Sequence, residues 1–291
     1  MKKLTFYIVD VFAEEKFAGN QLAVFRGGAK LTTEQMQAIA REMHFSETTF
    51  IMSEAQRKGG YDVRIFTPAV EVPFAGHPTL GTAHIICSEI ATDAPEEVVL
   101  NLKVGQISVT FDNDISWMKQ VNPEFGGNID VEAVAEVLGL RRSEIDERFP
   151  VQQVSTGLPH IIVPLQKLDS LKRARVLLDK YYDLIKNTWA KPILIFCPES
   201  HTGISDISVR MFADYYGVPE DPATGSGNGC LAAYLVKNRY WGESKINIRA
   251  EQGYEIQRPS LLYLKAQAIG SAINVFVGGK SITVARGEMF I

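Results

Sequence analysis

Residues 220 to 236, EDPATGSGNGCLAAYLV, contain a glycine-rich turn directly before an apolar helical pattern. Gly225, Gly227 and Gly229 leave backbone N–H groups uncovered by side chains at the expected start of a helix. Free N–H donors and the positive end of the helix dipole both favour a carboxylate or phosphate at such a position. The stretch is therefore a candidate anion site, although a tight strand-to-helix turn that needs glycine only for its dihedral angles explains the same residues.

A second stretch of the chain has the same organisation. Residues 64 to 84 and 210 to 233 share an arginine, a phenylalanine and a proline at equal spacing, followed by a glycine turn and an apolar run. The matching residues are Arg64, Phe66 and Pro73 in the first stretch and Arg210, Phe212 and Pro219 in the second. AGNQLAVF at 18 to 25 and TGLPHIIV at 156 to 163 repeat in the same order. Because a repeat decides the architecture, the sequence predicts two related halves.

The elements that must hold these turns are mostly short strands, with one long apolar helix after each glycine turn. TLGTAHII and NGCLAAYLV are apolar nearly all round, which is typical of a helix enclosed by other elements. Many strands with few helices do not fit a doubly wound parallel sheet. The sequence therefore predicts an α+β fold of two pseudo-symmetric halves, each a central helix wrapped by a curved, mainly antiparallel sheet.

A polar, turn-rich segment from 122 to 150 is the best candidate for the connection between the halves. Its short helix, 131 to 138, has Asp130 as a candidate N-cap and Gly139 at its end. We therefore assign residues 1–122 to the first half and 123–291 to the second, with the last strand, about 281–291, as a candidate to cross back. A charged stretch from about 169 to 187 is predicted as one helix.

The bulk composition excludes several classes of protein. A chain of 291 residues with 46% hydrophobic and 22% charged residues is long enough for two cores. A net charge of -4 argues against a nucleic-acid partner. The start of the chain does not fit a signal peptide, and no apolar run approaches the roughly 20 residues of a membrane-spanning helix. Three scattered cysteines are typical of reduced thiols, so we expect a cytoplasmic protein without membrane or nucleic-acid partners.

Other motifs in the chain fit known chemistry poorly. GSGNGC almost matches a dinucleotide-binding G-x-G-x-x-G, but Cys230 stands at the third glycine and no clear parallel unit surrounds it. Cys230 falls inside the predicted apolar helix, so we expect it in the core rather than as a nucleophile. His77 and His84 could share a helix face, but no third ligand lies nearby, so no metal site is predicted.

The combination of segments resembles the PhzF-like family of phenazine-biosynthesis proteins, which have the diaminopimelate epimerase-like fold. The segments that carry the resemblance are DVFAEEKFAGNQLAVF, SETTFI, RIFTPAVEVPFAGHPTLGTA, STGLPH and RMFADYYGVPEDPATGSGNGCLAAYL, with QGYEIQRPS as a weaker match. They cover nearly the whole chain in order. The resemblance implies an active cleft between two pseudo-symmetric halves, usually a homodimer, and no cofactor.

The resemblance also implies a single carboxylate base. In diaminopimelate epimerase a cysteine heads each of the two central helices, and the matching positions here are Ala75 and Thr224, which rules out a two-thiol mechanism. The base of the phenazine enzyme is the glutamate of the S-E-T motif, which corresponds to Glu47. From local sequence alone, a glutamate at a helix-to-strand junction is usually solvated or caps a neighbour. A carboxylate is nevertheless a sensible base for a C–H next to an unsaturated system, particularly if enclosure raises its pKa.

The remaining candidate residues lie at the glycine turns and at the first hairpin. The family's histidine, aspartate and serine correspond to His77, Asp221 and Ser226. The N–H groups at the two turns would hold the substrate's carboxylate, while His77 and Asp221 position polar groups or relay the proton; His77 could instead cap its helix. The predicted catalytic residues are Glu47, His77 and Asp221, and the predicted substrate-binding residues are Asn20, Gly76, Thr224, Gly225, Ser226 and Gly227.

Three functions remain open at this stage. The leading hypothesis is a cofactor-independent isomerase that moves a proton within a small cyclic or unsaturated carboxylic acid. A racemase or epimerase of a small amino acid needs two opposed bases, and only one glutamate presents itself. The third is a catalytically silent protein that binds a small carboxylate.

Overall fold

A computed structural model describes residues 3 to 291, and the chain forms two compact units. One unit comprises the residues up to Met118 together with Gly278–Ile291, and the other comprises Lys119–Val277. The division falls at 118/119, and the last strand belongs to the first unit.

The units are built largely from strands. In chain order the strands are β1 (Lys3–Val11), β2 (Asn20–Arg26), β3 (Glu47–Ile51), β4 (Tyr61–Phe66), β5 (Glu71–Val72), β6 (Glu97–Leu102), β7 (Gly105–Asp112), β8 (Ile115–Lys119), β9 (Glu124–Asn128), β10 (Gln152–Ser155), β11 (Pro159–Pro164), β12 (Ile193–Cys197), β13 (Ile207–Ala213), β14 (Val218–Asp221), β15 (Lys245–Gln252), β16 (Ser260–Ile269), β17 (Ala272–Gly279) and β18 (Ser281–Phe290). The α-helices are α1 (Thr33–Met43), α2 (Gly76–Glu89), α3 (Val131–Val137), α4 (Leu168–Arg173), α5 (Leu178–Ile185) and α6 (Gly225–Lys237).

The two units share one scheme of strand pairing. In the first, β1 pairs antiparallel with β2 and β18, β2 parallel with β3, β3 antiparallel with β4, and β4 antiparallel with β5 and parallel with β6. In the second, β10 pairs antiparallel with β11 and β9, and β11 pairs parallel with β12. β12 then pairs antiparallel with β13, and β13 pairs antiparallel with β14 and parallel with β15. The duplication expected from the sequence is therefore confirmed.

The helix after each glycine turn is enclosed by its own unit. Every residue of α2 from His77 to Ala83 is buried. A Cβ at Gly81 would lie 2.7 Å from the Leu22 side chain and 2.8 Å from that of Val11. Glycine at this position therefore lets α2 pack directly against β1 and β2.

The second central helix, α6, packs in the same way through the glycines of its first turns. A Cβ at Gly227 would lie 2.9 Å from the Leu194 side chain, and one at Gly229 would lie 2.9 Å from the Thr156 hydroxyl. Cys230 is fully buried on this helix, and burial raises the pKa of its thiol to about 12. Cys230 is a core residue, as the sequence predicts.

The first helix, α1, begins at the capping box that the sequence predicts. The Thr32 hydroxyl accepts a hydrogen bond from the Gln35 backbone N–H at 3.2 Å, and the Gln35 side chain accepts one from the Thr32 N–H at 3.0 Å. The reciprocal bonds satisfy two of the otherwise free donors at the helix start. His44 ends the helix in a left-handed conformation, three residues before β3 begins.

Two predictions for the middle of the chain are wrong. The segment from 122 to 150 is not a linker, because β9 pairs with β10 and α3 contributes Val134 and Val137 to the core of the second unit. Its polar composition reflects a largely exposed strand that contains Gly126 and Gly127. The charged stretch from 169 to 187 forms two helices, α4 and α5, rather than one. Arg210 binds the carbonyl oxygens at the end of α4, which a continuing helix would need.

An arginine–glutamate pair is duplicated along with the strands. Arg64 binds Glu71 through two hydrogen bonds of 2.8 Å, and Arg210 binds Glu220 at 2.9 and 2.8 Å. The Arg64 side chain is 26% exposed, whereas Arg210 is 8% exposed. Hydrogen bonding to Arg64 lowers the pKa of Glu71 to about 2. The same pair therefore closes the β4–β5 and β13–β14 connections, but only the second is deeply buried.

We expect the two arginines to differ in their contribution to stability. Arg210→Met should lower the free energy of unfolding by about 3 kcal/mol, because it leaves Glu220 and the carbonyls of α4 without their donor. Arg64→Met, the matched control, should cost about 1 kcal/mol, because Arg64 itself is more exposed and Lys103 still donates to Glu71 at 3.0 Å. Urea unfolding followed by circular dichroism measures both values, and equal losses would contradict the role of burial.

Candidate active site

Glu47 is the first residue of β3 and pairs in register with Leu22 of the parallel strand β2. The left-handed end of α1 at His44 turns the chain into this strand. The Glu47 side chain is 18% exposed. This acid therefore lies at a strand end, where it is shielded from solvent on most sides.

His77 lies beside Glu47, in the first turn of α2. Its Nε2 is 3.4 Å from Glu47 Oε2, and its side chain is 7% exposed. Burial lowers the pKa of His77 to about 3, so the ring is neutral near pH 7 and the contact is not a pair of full charges. Two of the predicted catalytic residues, Glu47 and His77, therefore lie next to each other.

The proton on the imidazole of His77 can be assigned to one nitrogen. The ring hydrogen-bonds to the backbone of Gln21, a contact that favours the protonated ring, so the imidazole donates and the Gln21 carbonyl accepts. Within residues 3–291, Nε2 makes no hydrogen bond, so the donor is Nδ1. The Nε2 lone pair therefore faces Glu47, and the two side chains can hold one proton between them.

Asn20 and Gly76 complete the candidate residues of the first unit. Asn20 is buried at the start of β2. It follows Gly19, which has a φ of +68° and where a Cβ would lie 2.4 Å from the Val11 carbonyl oxygen, so no side chain fits there. Gly76 is the first residue of α2. The N-cap residue before it is Ala75, whose side chain makes no capping hydrogen bond. Because Pro78 has no N–H, the donors at this helix start are those of Gly76 and His77.

The second unit has its candidate residues at the turn from β14 into α6. Asp221 ends β14, and its Oδ2 accepts a hydrogen bond of 2.5 Å from the Thr224 hydroxyl. Thr224 is the N-cap of α6, but within the described chain its side chain makes no capping bond because the hydroxyl binds Asp221. The backbone N–H groups of Gly225, Ser226 and Gly227 are therefore left without a side-chain cap at the positive end of this helix.

Two buried amides at this turn were not among the sequence candidates. Gln252, at the end of β15, donates to the Asp221 carbonyl at 2.8 Å and accepts from the Thr224 N–H at 3.2 Å. Asn228 donates to Gln252 at 2.8 Å and to the Thr224 carbonyl at 3.0 Å. The weak QGYEIQRPS match begins at Gln252, and Gly253 after it has φ +80°. The Gln-Gly pair at 252 and 253 was the one sequence signal that could have identified Gln252.

The strand registers show which residues correspond in the two units. Glu47 immediately precedes the β3 residue that pairs with Phe66, and Pro192 immediately precedes the β12 residue that pairs with Phe212. Because the two phenylalanines match in the sequence repeat, Pro192 occupies the position of Glu47. It cannot exchange a proton.

The helix starts give a second correspondence. Ala75 and Thr224 are the N-caps of α2 and α6, so His77 matches Ser226. Counting back from the N-caps, Asp221 matches Val72. The scaffold is duplicated, but the polar groups at the helix starts are not.

Two surface cavities within the described residues lie apart from the candidate residues. One surface cavity of about 330 Å³ is lined partly by Arg64, Glu71 and Lys103. Another, of about 280 Å³, is lined partly by Lys245 and Lys265. No candidate residue lines either cavity. Among residues 3–291, no group of three His, Cys, Asp or Glu side chains is arranged to hold a metal ion. The helices in that range include none long and apolar enough to span a membrane.

Comparisons with known proteins agree with this fold. Residues 9–287 match the model of the family described as phenazine biosynthesis-like protein. A trans-2,3-dihydro-3-hydroxyanthranilate isomerase of Pseudomonas aeruginosa is 34% identical over 98% of this chain and 99% of its own. A protein of Pasteurella multocida that carries the name of an uncharacterised isomerase is 33% identical over 98% of this chain and 94% of its own.

Solved structures extend the comparison to the fold. A PhzF-family protein of Bacillus anthracis superposes with a TM-score of 0.91 over 100% of both chains at 24% identity. A probable proline racemase of Agrobacterium radiobacter superposes with a TM-score of 0.65 over 99% of this chain and 93% of its own at 12% identity, which shows a shared fold alone.

The family match and the full-length relatives identify the class of this protein. The chain belongs to the phenazine biosynthesis-like protein family and has the fold shared by the PhzF proteins and the proline racemase-like enzymes. It is an enzyme of the isomerase class, as its relatives are. The sequence predictions of family, fold class and enzyme class are confirmed.

The neutral state of His77 predicts a pH dependence of stability. Burial lowers the pKa of His77 from 6.5 to about 3, so between these values the unfolded chain binds a proton that the folded chain does not. The free energy of unfolding should therefore fall as the pH drops through this window. We expect His77→Gln to remove about 1 kcal/mol per pH unit from that slope between about pH 5 and 6, measured by urea unfolding at several pH values.

His160 provides a parallel variant for the same measurement. It is buried in the second unit, where desolvation lowers its pKa to about 4. His160→Gln should reduce the slope by a similar amount over the same pH range. A His77→Gln protein with the slope of the wild type would show that His77 is protonated in the folded state.

Proposed function

We propose that the enzyme is a cofactor-independent isomerase that moves a proton within a small cyclic or unsaturated carboxylic acid, with Glu47 as general acid and base. The observation that carries the proposal is the contact of Glu47 with a neutral His77, whose Nε2 lone pair faces the carboxyl group. As a carboxylate Glu47 can accept a proton, and the protonated acid can donate to the neutral imidazole Nε2 until the proton is returned.

In the proposed reaction Glu47 removes a proton from one carbon of the substrate. The electrons of that C–H bond form a new double bond, the existing double bond shifts, and the proton returns to a different carbon. No oxidant or reductant is needed, because substrate and product have the same composition. His77 steadies the proton on Glu47 between the two transfers through the 3.4 Å contact.

We assign the binding of the substrate's carboxylate to the start of α6. Gly225, Ser226 and Gly227 offer backbone N–H donors there, and the Thr224 hydroxyl is engaged by Asp221 and does not cap them. A helix start of this kind favours an anion. In this proposal Gly76 adds a donor at α2, and Asn20 and Asp221 position polar groups of the substrate.

The strand registers favour an isomerase over a two-base racemase or epimerase. A racemase of the diaminopimelate epimerase type needs a proton-exchanging group in each unit. Ala75 and Thr224 head the two central helices, and Pro192 occupies the position that corresponds to Glu47. A single base that both removes and returns the proton fits a shift between two carbons of one substrate better than an inversion.

The relatives suggest the first compound to test. Those of Pseudomonas aeruginosa and Pseudomonas fluorescens carry the name of trans-2,3-dihydro-3-hydroxyanthranilate isomerase. That compound is a cyclic, unsaturated carboxylic acid and therefore belongs to the substrate class proposed here. Related cyclic dienoic acids and amino acids complete the panel, because one fold can support several substrates.

The role of Glu47 is tested by proton exchange in heavy water. We expect the wild type to incorporate deuterium into a member of the panel and Glu47→Gln to lose at least about 100-fold of that rate, because the amide cannot accept the proton. Mass spectrometry and proton NMR of the recovered compound measure the exchange. Glu42→Gln, on the exposed face of α1, is the matched control and should retain the wild-type rate.

The two variants separate the possible failures. Exchange that persists undiminished in Glu47→Gln removes Glu47 from the role of base. Binding of a panel acid by the wild type without any exchange supports a silent carboxylate-binding protein instead. Equal losses in Glu47→Gln and Glu42→Gln would indicate a general effect of the substitutions rather than loss of a base.

We also propose, from the resemblance, that the enzyme is a homodimer of the cytoplasm. Light scattering of the purified protein at micromolar concentration should give twice the mass of one chain. A monomer mass that is independent of concentration would contradict the dimer.

A further inference from the structure

Gln252 is a buried amide whose hydrogen-bonding groups are all engaged at the start of α6. Its side chain lies at the end of β15, and the residue is 1% exposed. Its Nε2 donates to the Asp221 carbonyl at 2.8 Å and to the Thr224 hydroxyl at 3.0 Å. Its Oε1 accepts from the Thr224 N–H at 3.2 Å and from Asn228 at 2.8 Å. One side chain therefore binds both ends of the turn that joins β14 to α6.

The orientation of the Gln252 amide follows from its partners. The backbone N–H of Thr224 can only donate, so the atom that faces it must be the oxygen of the amide. The NH₂ group then faces the Asp221 carbonyl, which can only accept. Both ends of the amide agree on one orientation.

The orientation of the amide fixes the direction of the Thr224 hydroxyl. Because the Gln252 NH₂ group donates to this hydroxyl, the hydroxyl must use its single proton elsewhere. The Asp221 carboxylate accepts that proton at 2.5 Å. A chain of bonds with one polarity therefore runs from Gln252 through Thr224 to Asp221 and holds the acid as a hydrogen-bond acceptor.

The first unit lacks this chain. The strand β6 in the first unit corresponds to β15 in the second. Asn101 of β6 pairs with Asp62 of β4, and Glu251 of β15 pairs with Ser208 of β13, so Asn101 and Glu251 occupy matching positions. The next residue is Leu102 in the first unit and Gln252 in the second. The first unit also has Val72 in place of Asp221. The amide and the acid that it orients thus occur together in one unit and are replaced together by apolar residues in the other.

We propose that Gln252 is a positioning residue for the isomerase reaction: it sets the direction of the Thr224 hydroxyl, and through it the orientation of the Asp221 carboxylate and of the start of α6. The inference rests on the proposed function, in which Asp221 and this helix start contact the substrate. Gln252 itself does not touch the reacting atoms. It acts through Thr224, and its loss changes the chemistry rather than only the packing.

The test uses Gln252→Glu and a matched control, Gln153→Glu, in the full-length protein. Gln252→Glu keeps the size of the side chain but replaces the two N–H donors by an acceptor, so the Thr224 hydroxyl can turn away from Asp221. Gln153 is also buried in the second unit, where it accepts from the Ala190 N–H at 3.0 Å and donates to the Gly127 carbonyl at 3.3 Å, and it is no part of the candidate site. Both changes put a carboxyl group into a buried amide position.

We expect three measurements to separate the two variants. With trans-2,3-dihydro-3-hydroxyanthranilate as the probe, Gln252→Glu should lower kcat by at least about 10-fold. The acidic limb of its pH–rate profile should also shift to higher pH. Gln153→Glu should keep kcat within about twofold of the wild type and leave the profile in place, at a comparable loss of thermal stability. Without substrate, carbon-13 NMR should show that the Asp221 carboxyl titrates at higher pH in Gln252→Glu only, because it loses its hydroxyl donor and gains a second carboxyl group nearby.

Each outcome decides the inference. If folded Gln252→Glu keeps the wild-type kcat, pH profile and Asp221 titration, or if both variants change all three alike, Gln252 is only a packing residue. An unchanged Asp221 titration in Gln252→Glu contradicts the orienting role even if the probe is not turned over. If Glu47→Gln remains active, the proposed function fails on its own ground, whatever Gln252 does. If Glu47→Gln is inactive and Gln252→Glu resembles the wild type, only the positioning role fails.

Discussion

Each unit depends on the enclosure of one apolar helix that begins with glycine. The strands can close around α2 and α6 only because Gly81, Gly227 and Gly229 leave room for side chains within 3 Å of where a Cβ would be. The buried apolar side chains of these helices contribute to the stability of each unit. The same enclosure shields the first residues of each helix, where backbone N–H groups have no side-chain cap. Packing and chemistry therefore meet at the helix starts.

The two units keep one scaffold and differ at the groups that could do chemistry. The arginine–glutamate pair, the parallel pairing of β2 with β3 and of β11 with β12, and the helix starts are duplicated. Glu47 and His77, however, correspond to Pro192 and Ser226. A buried polar group costs stability unless it is hydrogen-bonded, and each unit provides partners for its own groups: the Gln21 backbone for His77, and Gln252 for Thr224. The divergence leaves one acid–imidazole pair in the first unit and one aspartate–threonine–glutamine network in the second.

The sequence was informative about elements whose signals are local. The capping box of α1, the two apolar helices and most of the strands follow from spacing and composition, and the repeat followed from an arginine and a phenylalanine at matching places. It failed between 122 and 187, where a polar strand resembled a linker and two helices resembled one. The deciding interactions there are long-range: β9 gains its partner in β10, and α4 ends at carbonyls bound by Arg210, about forty residues further along the chain. No window of local sequence contains such information.

For the candidate site, the sequence by itself determined the residue types, the family resemblance and the correspondence of the two halves, because these depend on the order of residues along the chain. The tertiary structure alone decided that His77 lies 3.4 Å from Glu47 and is neutral, since its protonation depends on burial among residues distant in sequence. It also decided that Gln252 joins Asp221 and Thr224, because an amide thirty residues away becomes a partner only when β15 pairs with β13. Hydrogen-bond geometry and desolvation are properties of atoms brought together in space, and sequence order does not specify them.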